Sequence, residues 1–122
     1  MSQAGVIKST KTRTGRRVIA FAGGRGGIGR SVLASNIAVY LAQVGKQVVL
    51  IDADLGGSSL HTLLGLTSPR RSLTQVIDRQ ADHLVQMIVE TPVSNLFLLS
   101  GAGDRFGVAN LRPTQKERLL QQ

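Results

Sequence analysis

The chain contains no cysteine, and aromatic residues make up only 3% of it. The absence of cysteine excludes a disulfide framework, thiolate chemistry and metal sites built from thiolates. No apolar run approaches the roughly 20 residues that span a bilayer, and the basic N-terminus is not followed by the long apolar core and cleavage site of a signal peptide. These absences predict a soluble protein without a transmembrane segment, located in the cytoplasm.

Acidic residues are missing from the first 51 positions, although the whole chain has 7 of them and a net charge of +8. The same half contains eight basic residues: Lys8, Lys11, Arg13, Arg16, Arg17, Arg25, Arg30 and Lys46. A positive field of this kind attracts polyanions. We therefore expect nonspecific DNA or an acidic membrane surface as a partner of this half, with a protein partner as the alternative.

At 122 residues, the chain has room for one small core, and its 42% apolar content is mostly aliphatic. That composition is typical of a cytosolic α/β protein with a parallel sheet. Residues 1–16 are polar and basic and show no apolar period, which predicts a flexible N-terminal arm. Residues 17–122 are then expected to form one folded domain.

The first half of this domain has the pattern of a β-loop-α-β unit. Residues 18–22 and 48–51 are short continuous apolar runs, which predict two strands buried on both faces. Between them, apolar residues at spacings of three and four predict an amphipathic helix over residues 30–44 that ends at Gly45. The apolar positions are Val32, Leu33, Ile37, Tyr40, Leu41 and Val44. A right-handed crossover would make the two strands parallel, with the glycine loop at their carboxyl ends.

Later elements are predicted more briefly. Residues 60–66 and 73–78 have the pattern of short helices, and residues 96–99 that of a third buried strand. A polar helix is expected over residues 113–122.

The glycine loop satisfies two nucleotide-binding patterns. Gly24, Gly26 and Gly29 match the dinucleotide-binding G-x-G-x-x-G, whereas Gly24, Gly29 and Ser31 match the P-loop, with Arg30 at the lysine position. Both patterns bring backbone N–H groups close to phosphate at a helix N-terminus, so the glycines alone do not separate them. An acidic residue about 20 positions after the loop is compatible with the dinucleotide pattern, while the hydroxyl of Ser31 suits the Mg²⁺ ligand of a P-loop.

Several further segments resemble one family in register. They are Arg25-Gly26-Gly27-Ile28-Gly29-Arg30-Ser31, Asn36-Ile37-Ala38, Gly45-Lys46-Gln47-Val48 and Asp52-Ala53-Asp54. They are similar to the deviant Walker A motif, the N-[LI]-A and G-K-x-V segments and the D-x-D strand end of the ParA/MinD family of P-loop ATPases. The continuation from Leu55 to Leu66 is most similar to MinD-type regulators of flagellar number and placement. The likeness extends over about residues 18–120.

The resemblance implies a P-loop NTPase-like three-layer αβα fold with a parallel sheet, and a site for ATP and Mg²⁺. The implied phosphate-binding residues are Gly24, Arg25, Gly26, Gly27, Ile28, Gly29, Arg30, Ser31 and Val32. It further implies that Ser31 ligates Mg²⁺, that Asp52 lies near the metal shell, and that Asp54 positions the attacking water. Arg25 would reach the nucleotide of the partner subunit in an ATP-sandwiched homodimer, in the manner of an arginine finger.

Two departures from the family pattern predict weak nucleotide binding or slow hydrolysis. Arg30 replaces the P-loop lysine, and guanidinium and ammonium groups are not interchangeable at phosphate; Val32 and Ser59 replace a frequent hydroxyl and asparagine. The Walker B strand and later elements of the family have no counterpart, so we expect only the N-terminal part of the domain. The function implied is a dimerising nucleotide switch in division-site, chromosome, plasmid or flagellum placement. The alternatives are a non-hydrolysing basic scaffold module and a fragment of an NAD(P)-binding reductase.

Overall fold

The computed structural model describes residues 6–11, 15–25, 29–54, 57, 59–67, 71–78, 82–101, 113–114 and 117. Its strands are β1 (Val6–Lys11), β2 (Arg17–Ala22), β3 (Val48–Ile51), β4 (Val89–Glu90) and β5 (Leu96–Leu99). Its helices are α1 (Arg30–Gln43), α2 (Leu60–Leu63) and α3 (Leu73–Ile77), with a 3₁₀ helix at Leu84–Met87. The predicted short helices at 60–66 and 73–78 and the predicted strand at 96–99 are thus confirmed.

Strand β5 lies in the middle of a three-stranded sheet of order β3-β5-β4. Strands β3 and β5 are parallel, with Val48 opposite Leu96 and Ile51 opposite Leu99, whereas the short β4 runs antiparallel to β5. The central position explains the burial of β5, because Leu96 and Leu98 have 1% and 0% of their surfaces exposed. The parallel pair places the carboxyl ends of β3 and β5 at one edge of the sheet.

Helices cover both faces of β5, whereas in β3 Val49 and Ile51 are 46% and 55% exposed, so the prediction that residues 48–51 are buried on both faces is wrong. Leu98 packs in an apolar cluster with residues of α1 and α2, whereas Leu99 packs with residues of α3 and the 3₁₀ helix. Successive side chains of a strand point to opposite faces, so the two clusters lie on opposite sides of the sheet. The predicted three-layer αβα arrangement with parallel strands is confirmed for this part of the chain.

The first predicted strand is found as β2, but its surroundings differ from the prediction. Within the described residues, β2 pairs with β1 in a separate two-stranded sheet and does not pair with β3. Val18 and Ile19 are 57% and 38% exposed, so the prediction of burial on both faces is wrong. A strand formed by a continuous apolar run is buried on both faces only where other elements pack against both of them. Here β2 packs against α1, and Phe21 joins it to the main apolar cluster.

Strand β1 lies within the segment that was expected to be a flexible arm. It pairs antiparallel with β2 from Val6 opposite Ala22 to Lys11 opposite Arg17. The expectation of an unstructured arm is therefore wrong for residues 6–11. The physical reason is their content of Val, Ile and Thr, which favours extended backbone even where the residues between them are charged. The division of the chain at residue 16 stays a prediction.

Helix α1 has the predicted bounds to within one residue, but it buries a different face. Its buried residues are small: Ala34, Ser35, Ala38 and Ala42. Four of the large residues predicted as core are between 48% and 63% exposed: Val32, Leu33, Tyr40 and Val44. With 3.6 residues per turn the large residues share one half of the helix surface and the buried small residues share the other half, so the spacing of the large residues selected the wrong face. Small side chains allow α1 to approach the sheet closely, and packing at that distance decides which face is buried.

The carboxyl end of α1 is fixed as predicted. Gly45 adopts a left-handed conformation with φ of 85°, and the N–H of Lys46 donates to the carbonyl of Leu41 at 3.0 Å. Of the polar helix expected at 113–122, only residues 113, 114 and 117 are described, and these are helical and exposed. No helix in the described part of the chain is long and apolar enough to cross a membrane.

Candidate functional site

The amino end of α1 lies at the same edge of the sheet as the carboxyl ends of β3 and β5. The side-chain amide of Asn95, which directly precedes β5, donates to the carbonyl of Ala42 in the last turn of α1 at 3.4 Å. The last turn of α1 therefore lies beside the amino end of β5. Because α1 also packs against β3 and β5, its first turn points toward the carboxyl ends of both strands. Ligands of open α/β folds bind at this edge.

The first turn of α1 has the geometry and charge of an anion site. Gly29 precedes the helix in a left-handed conformation, with φ of 81° and ψ of 13°. The N–H of Leu33 donates to the carbonyl of Gly29 at 2.9 Å. The N–H groups of Arg30 and Ser31 precede this bond, so they point out of the amino end of the helix. The turn contains no acidic residue. Together with the helix dipole, these groups favour a bound phosphate.

The predicted phosphate-binding residues are only partly described. Gly24 and Arg25 follow β2 and are exposed, Arg30 and Ser31 are half-buried, and Val32 is exposed. Gly26, Gly27 and Ile28 lie outside the described residues. The described part of the loop thus places one cationic side chain, that of Arg30, and the hydroxyl of Ser31 in the first turn of α1. The positions of the loop side chains do not by themselves imply a contact with Asp52 or Asp54.

Asp52 and Asp54 follow directly after β3. The carboxylate of Asp52 is 6% exposed and accepts three backbone N–H groups. Its Oδ1 accepts from Asp54 at 3.1 Å, and its Oδ2 accepts from Ser59 at 3.0 Å and Leu60 at 3.2 Å. Asp54 is exposed, and its Oδ1 accepts the N–H of Gly57 at 3.0 Å. The two predicted carboxylates therefore differ in accessibility, and only that of Asp54 is open to solvent.

Gly101 was not predicted as part of the site. It follows β5 at the edge where Asp52 follows β3, and a Cβ on Gly101 would lie 2.4 Å from the backbone oxygen of Asp52 and 3.1 Å from that of Asp54. Only glycine permits this approach of the two strand ends. The available signal in the sequence was a glycine two residues after the end of a buried strand, because glycine near a strand often marks close backbone contact.

The donor set fits a phosphate ligand with a hard divalent cation better than a soft metal. No group of three His, Cys, Asp or Glu residues in the described ranges has the arrangement of a protein metal centre. Mg²⁺ is usually held by one or two protein oxygens together with phosphate oxygens and water. The hydroxyl of Ser31 and the exposed carboxylate of Asp54 are oxygens of that kind. The edge thus suits Mg²⁺ carried by a nucleotide.

Comparisons with known proteins agree with this interpretation. A family model described as "ParA: NUBPL iron-transfer P-loop NTPase" matches residues 14–96. The chain is 36% identical over 105 residues to the antiactivator FleN of Pseudomonas aeruginosa. The matched region covers 86% of this chain and 36% of FleN. It is 36% identical over 109 residues to the septum site-determining protein MinD of Synechocystis, which covers 87% of this chain and 40% of that protein.

A solved structure shares the fold. The septum site-determining protein MinD of Pyrococcus horikoshii, in complex with Mg-ADP, superposes with a TM-score of 0.61 at 32% identity. The superposition covers 66% of this chain and 33% of that protein. The chain accordingly spans between a third and two-fifths of the length of the relatives that it matches.

Proposed function

Because the chain belongs to the ParA family of P-loop NTPases, we propose that it binds a nucleoside triphosphate with Mg²⁺ at the start of α1. Membership favours the P-loop pattern over the dinucleotide turn, and hence an NTPase over a reductase. The observation that carries the proposal is the first turn of α1, which is free of acid and preceded by the left-handed Gly29. It lies at the edge of the sheet where the exposed Asp54 follows β3.

The roles proposed for individual residues follow from their positions. Backbone N–H groups of residues 24–32, supported by the Arg30 guanidinium, bind the phosphates. The Ser31 hydroxyl serves as a Mg²⁺ ligand, because Mg²⁺ usually binds one or two protein oxygens together with phosphate oxygens. Asp54 orients the attacking water. The exposed side chain of Arg25 extends across the interface of a homodimer and contacts the nucleotide of the partner subunit. Its planar guanidinium donates two parallel hydrogen bonds to a phosphate.

The biological role proposed is a nucleotide-controlled switch in cellular positioning or partitioning, in the cytoplasm. The support is similarity to FleN and to septum site-determining MinD proteins. Hydrolysis by the 122-residue chain is proposed to be slow, because Arg30 stands at the lysine position.

Substituting Ser31 by alanine tests the phosphate and metal site. We expect the Mg²⁺ concentration needed for half-maximal binding of a fluorescent ATP analogue to rise about fivefold, since one hydrogen bond or ligand oxygen contributes roughly 1 kcal/mol. Ser35→Ala is the matched control. It removes a hydroxyl from the same helix, but the Ser35 hydroxyl donates to the carbonyl of Val32 at 3.0 Å. Equal Mg²⁺ dependence of the two variants, or no binding by the parent chain, would refute the site.

A second candidate function is a basic binding module that does not respond to nucleotide. Its support is the exposure of Arg16, Arg17, Arg25 and Lys46 in a half of the chain without acidic residues. Such a module would bind duplex DNA with an affinity that falls steeply with salt. Fluorescence anisotropy with a duplex of arbitrary sequence, with and without Mg·ATP, separates the two functions. An affinity unchanged by ATP favours the module, and one that ATP increases favours the switch. Vesicles containing anionic lipids replace DNA in a parallel titration.

A further inference from the structure

We infer that Asp52 is a positioning residue whose carboxylate holds the loop carrying Asp54, and that it does not ligate Mg²⁺. This reverses the metal-shell role that the family resemblance implied for Asp52. The inference deepens the proposed function, because it assigns the loop that presents Asp54 to the nucleotide. The contacts from which it is argued do not depend on a bound nucleotide.

The contacts of Asp52 join the two ends of one loop. At the near end its Oδ1 accepts the N–H of Asp54, two residues away, at 3.1 Å. At the far end its Oδ2 accepts the N–H groups of Ser59 and Leu60, at 3.0 and 3.2 Å, where α2 begins. One carboxylate therefore fixes where the loop leaves β3 and where it enters α2. Asp52 itself is 6% exposed; its hydrogen bond with Leu60 is buried, and those with Asp54 and Ser59 are partly buried.

The same contacts make the Asp52 oxygens poor ligands for a cation. A carboxylate has about four lone-pair sites, and three backbone donors already point at these two oxygens. The donors carry partial positive charge, and those of Ser59 and Leu60 belong to the start of a helix. A cation bound to the same oxygens would meet that positive charge at close range. Asp54 differs, because it is exposed and its Oδ1 accepts the N–H of Gly57 from within the loop.

Asp54 is thus held through two successive carboxylate-to-backbone contacts. Asp52 binds the backbone of Asp54, and Asp54 binds the backbone of Gly57. Hydrogen bonds to an ionised acceptor are roughly twice as strong as those between neutral groups. Loss of the Asp52 charge should consequently loosen Ser59 and Leu60 directly, and should alter the environment of Gly57 without any direct contact.

The test is Asp52→Asn in the 122-residue chain, measured by amide hydrogen exchange and NMR. Asparagine keeps the shape of the side chain, but its NH₂ group accepts no hydrogen bond. We expect exchange at Ser59 and Leu60 to accelerate at least tenfold and the Gly57 amide resonance to shift. Exchange at Leu98 in the sheet should change less than threefold. Asp78→Asn, at an exposed carboxylate after α3, is the matched control and should leave the loop unchanged.

Because the asparagine oxygen still accepts at one end of the loop, unchanged exchange at all three amides, those of Asp54, Ser59 and Leu60, or acceleration spread equally over the sheet, would overturn the positioning role. A Mg²⁺ titration of Mg·ADP binding tests the second half of the inference. Asp52→Asn should shift the Mg²⁺ midpoint by less than twofold, whereas a shift of tenfold or more would make Asp52 a ligand and overturn the inference. If the parent chain binds no nucleotide, the proposed function fails, and the exchange and resonance data still decide the role of Asp52.

Discussion

Replacing Gly101 by alanine is expected to lower the free energy of unfolding by about 1–3 kcal/mol, the usual range for atoms forced into a packed site. The added Cβ would lie 2.4 Å from the backbone oxygen of Asp52, which is far inside van der Waals contact. The obstructing atom is backbone and so cannot rotate away as a side chain does. The ends of β3 and β5 must separate, and Asp52 and Asp54 must move with them.

Urea denaturation without nucleotide measures this effect, and Gly24→Ala is the matched control. A Cβ on Gly24 meets nothing within 4 Å among the described residues, and its backbone does not require a positive φ. We expect the control to change stability by less than about 0.5 kcal/mol, the usual range for surface substitutions. If the two variants have equal stability, the close approach at the end of β5 is not a feature of the protein in solution.

The same substitution links stability to the site. Moving the backbone of Asp52 and Asp54 disturbs the carboxylate contacts that hold the Asp54 loop. Gly101→Ala should therefore accelerate amide exchange at Ser59, as Asp52→Asn does, although the carboxylate is still present. The two variants disturb the loop by different routes. Asp52→Asn removes the charge of the carboxylate, whereas Gly101→Ala displaces the backbone at the end of β3.

Local patterns in the sequence predicted the positions of most elements. The bounds of α1 and β5 follow from apolar spacing and from the glycine and asparagine beside them, which are short-range features. The order of strand, loop, helix and strand was likewise predictable, because each element is short and its ends carry turn residues. What these patterns do not contain is the identity of the neighbour against which each element packs.

Burial was therefore the least predictable property. The run at residues 18–22 looks like a central strand, yet Val18 is 57% exposed, because within the described residues β2 pairs only with β1. In α1 the spacing of large residues indicated one core face, whereas Ala38 and Ala42 form the contact with the sheet. Small residues contribute little to a hydrophobic pattern, but they set how closely two elements approach.

The site divides in the same way. The glycine loop and the two aspartates were identified from their spacing along the chain, because a sequence motif specifies that spacing. The different environments of Asp52 and Asp54 were not predicted, because the N–H groups of Ser59 and Leu60 reach the Asp52 carboxylate only after the chain has folded. Gly101 lies about 50 residues from Asp52 in the chain and meets it through the parallel pairing of β3 and β5. Contacts of this range depend on register, which a local motif does not specify.

Replacing Arg30 by lysine is expected to strengthen Mg·ATP binding on the order of tenfold, or about 1.4 kcal/mol. Arg30 is the first residue of α1 and is half-buried, at the position of the P-loop lysine. An ammonium group is a compact point charge with three donors on a flexible stem, whereas a guanidinium is broad and planar. The ammonium therefore fits between phosphates that are already surrounded by backbone N–H groups, and the guanidinium has to remain at one side.

Isothermal titration calorimetry with Mg·ATP measures the change, and Lys46→Arg is the control. Lys46 is exposed beyond the other end of α1, so exchanging its cation in the reverse direction keeps the net charge and should leave the affinity within twofold. Unchanged or weaker binding by Arg30→Lys would mean that Arg30 does not occupy the lysine site. Binding that strengthens equally in both variants would mean that the gain is not specific to the cation at position 30, since neither exchange alters the net charge. A gain in Mg·ATP affinity confined to Arg30→Lys would show that the shape of the Arg30 guanidinium weakens binding at the first turn of α1.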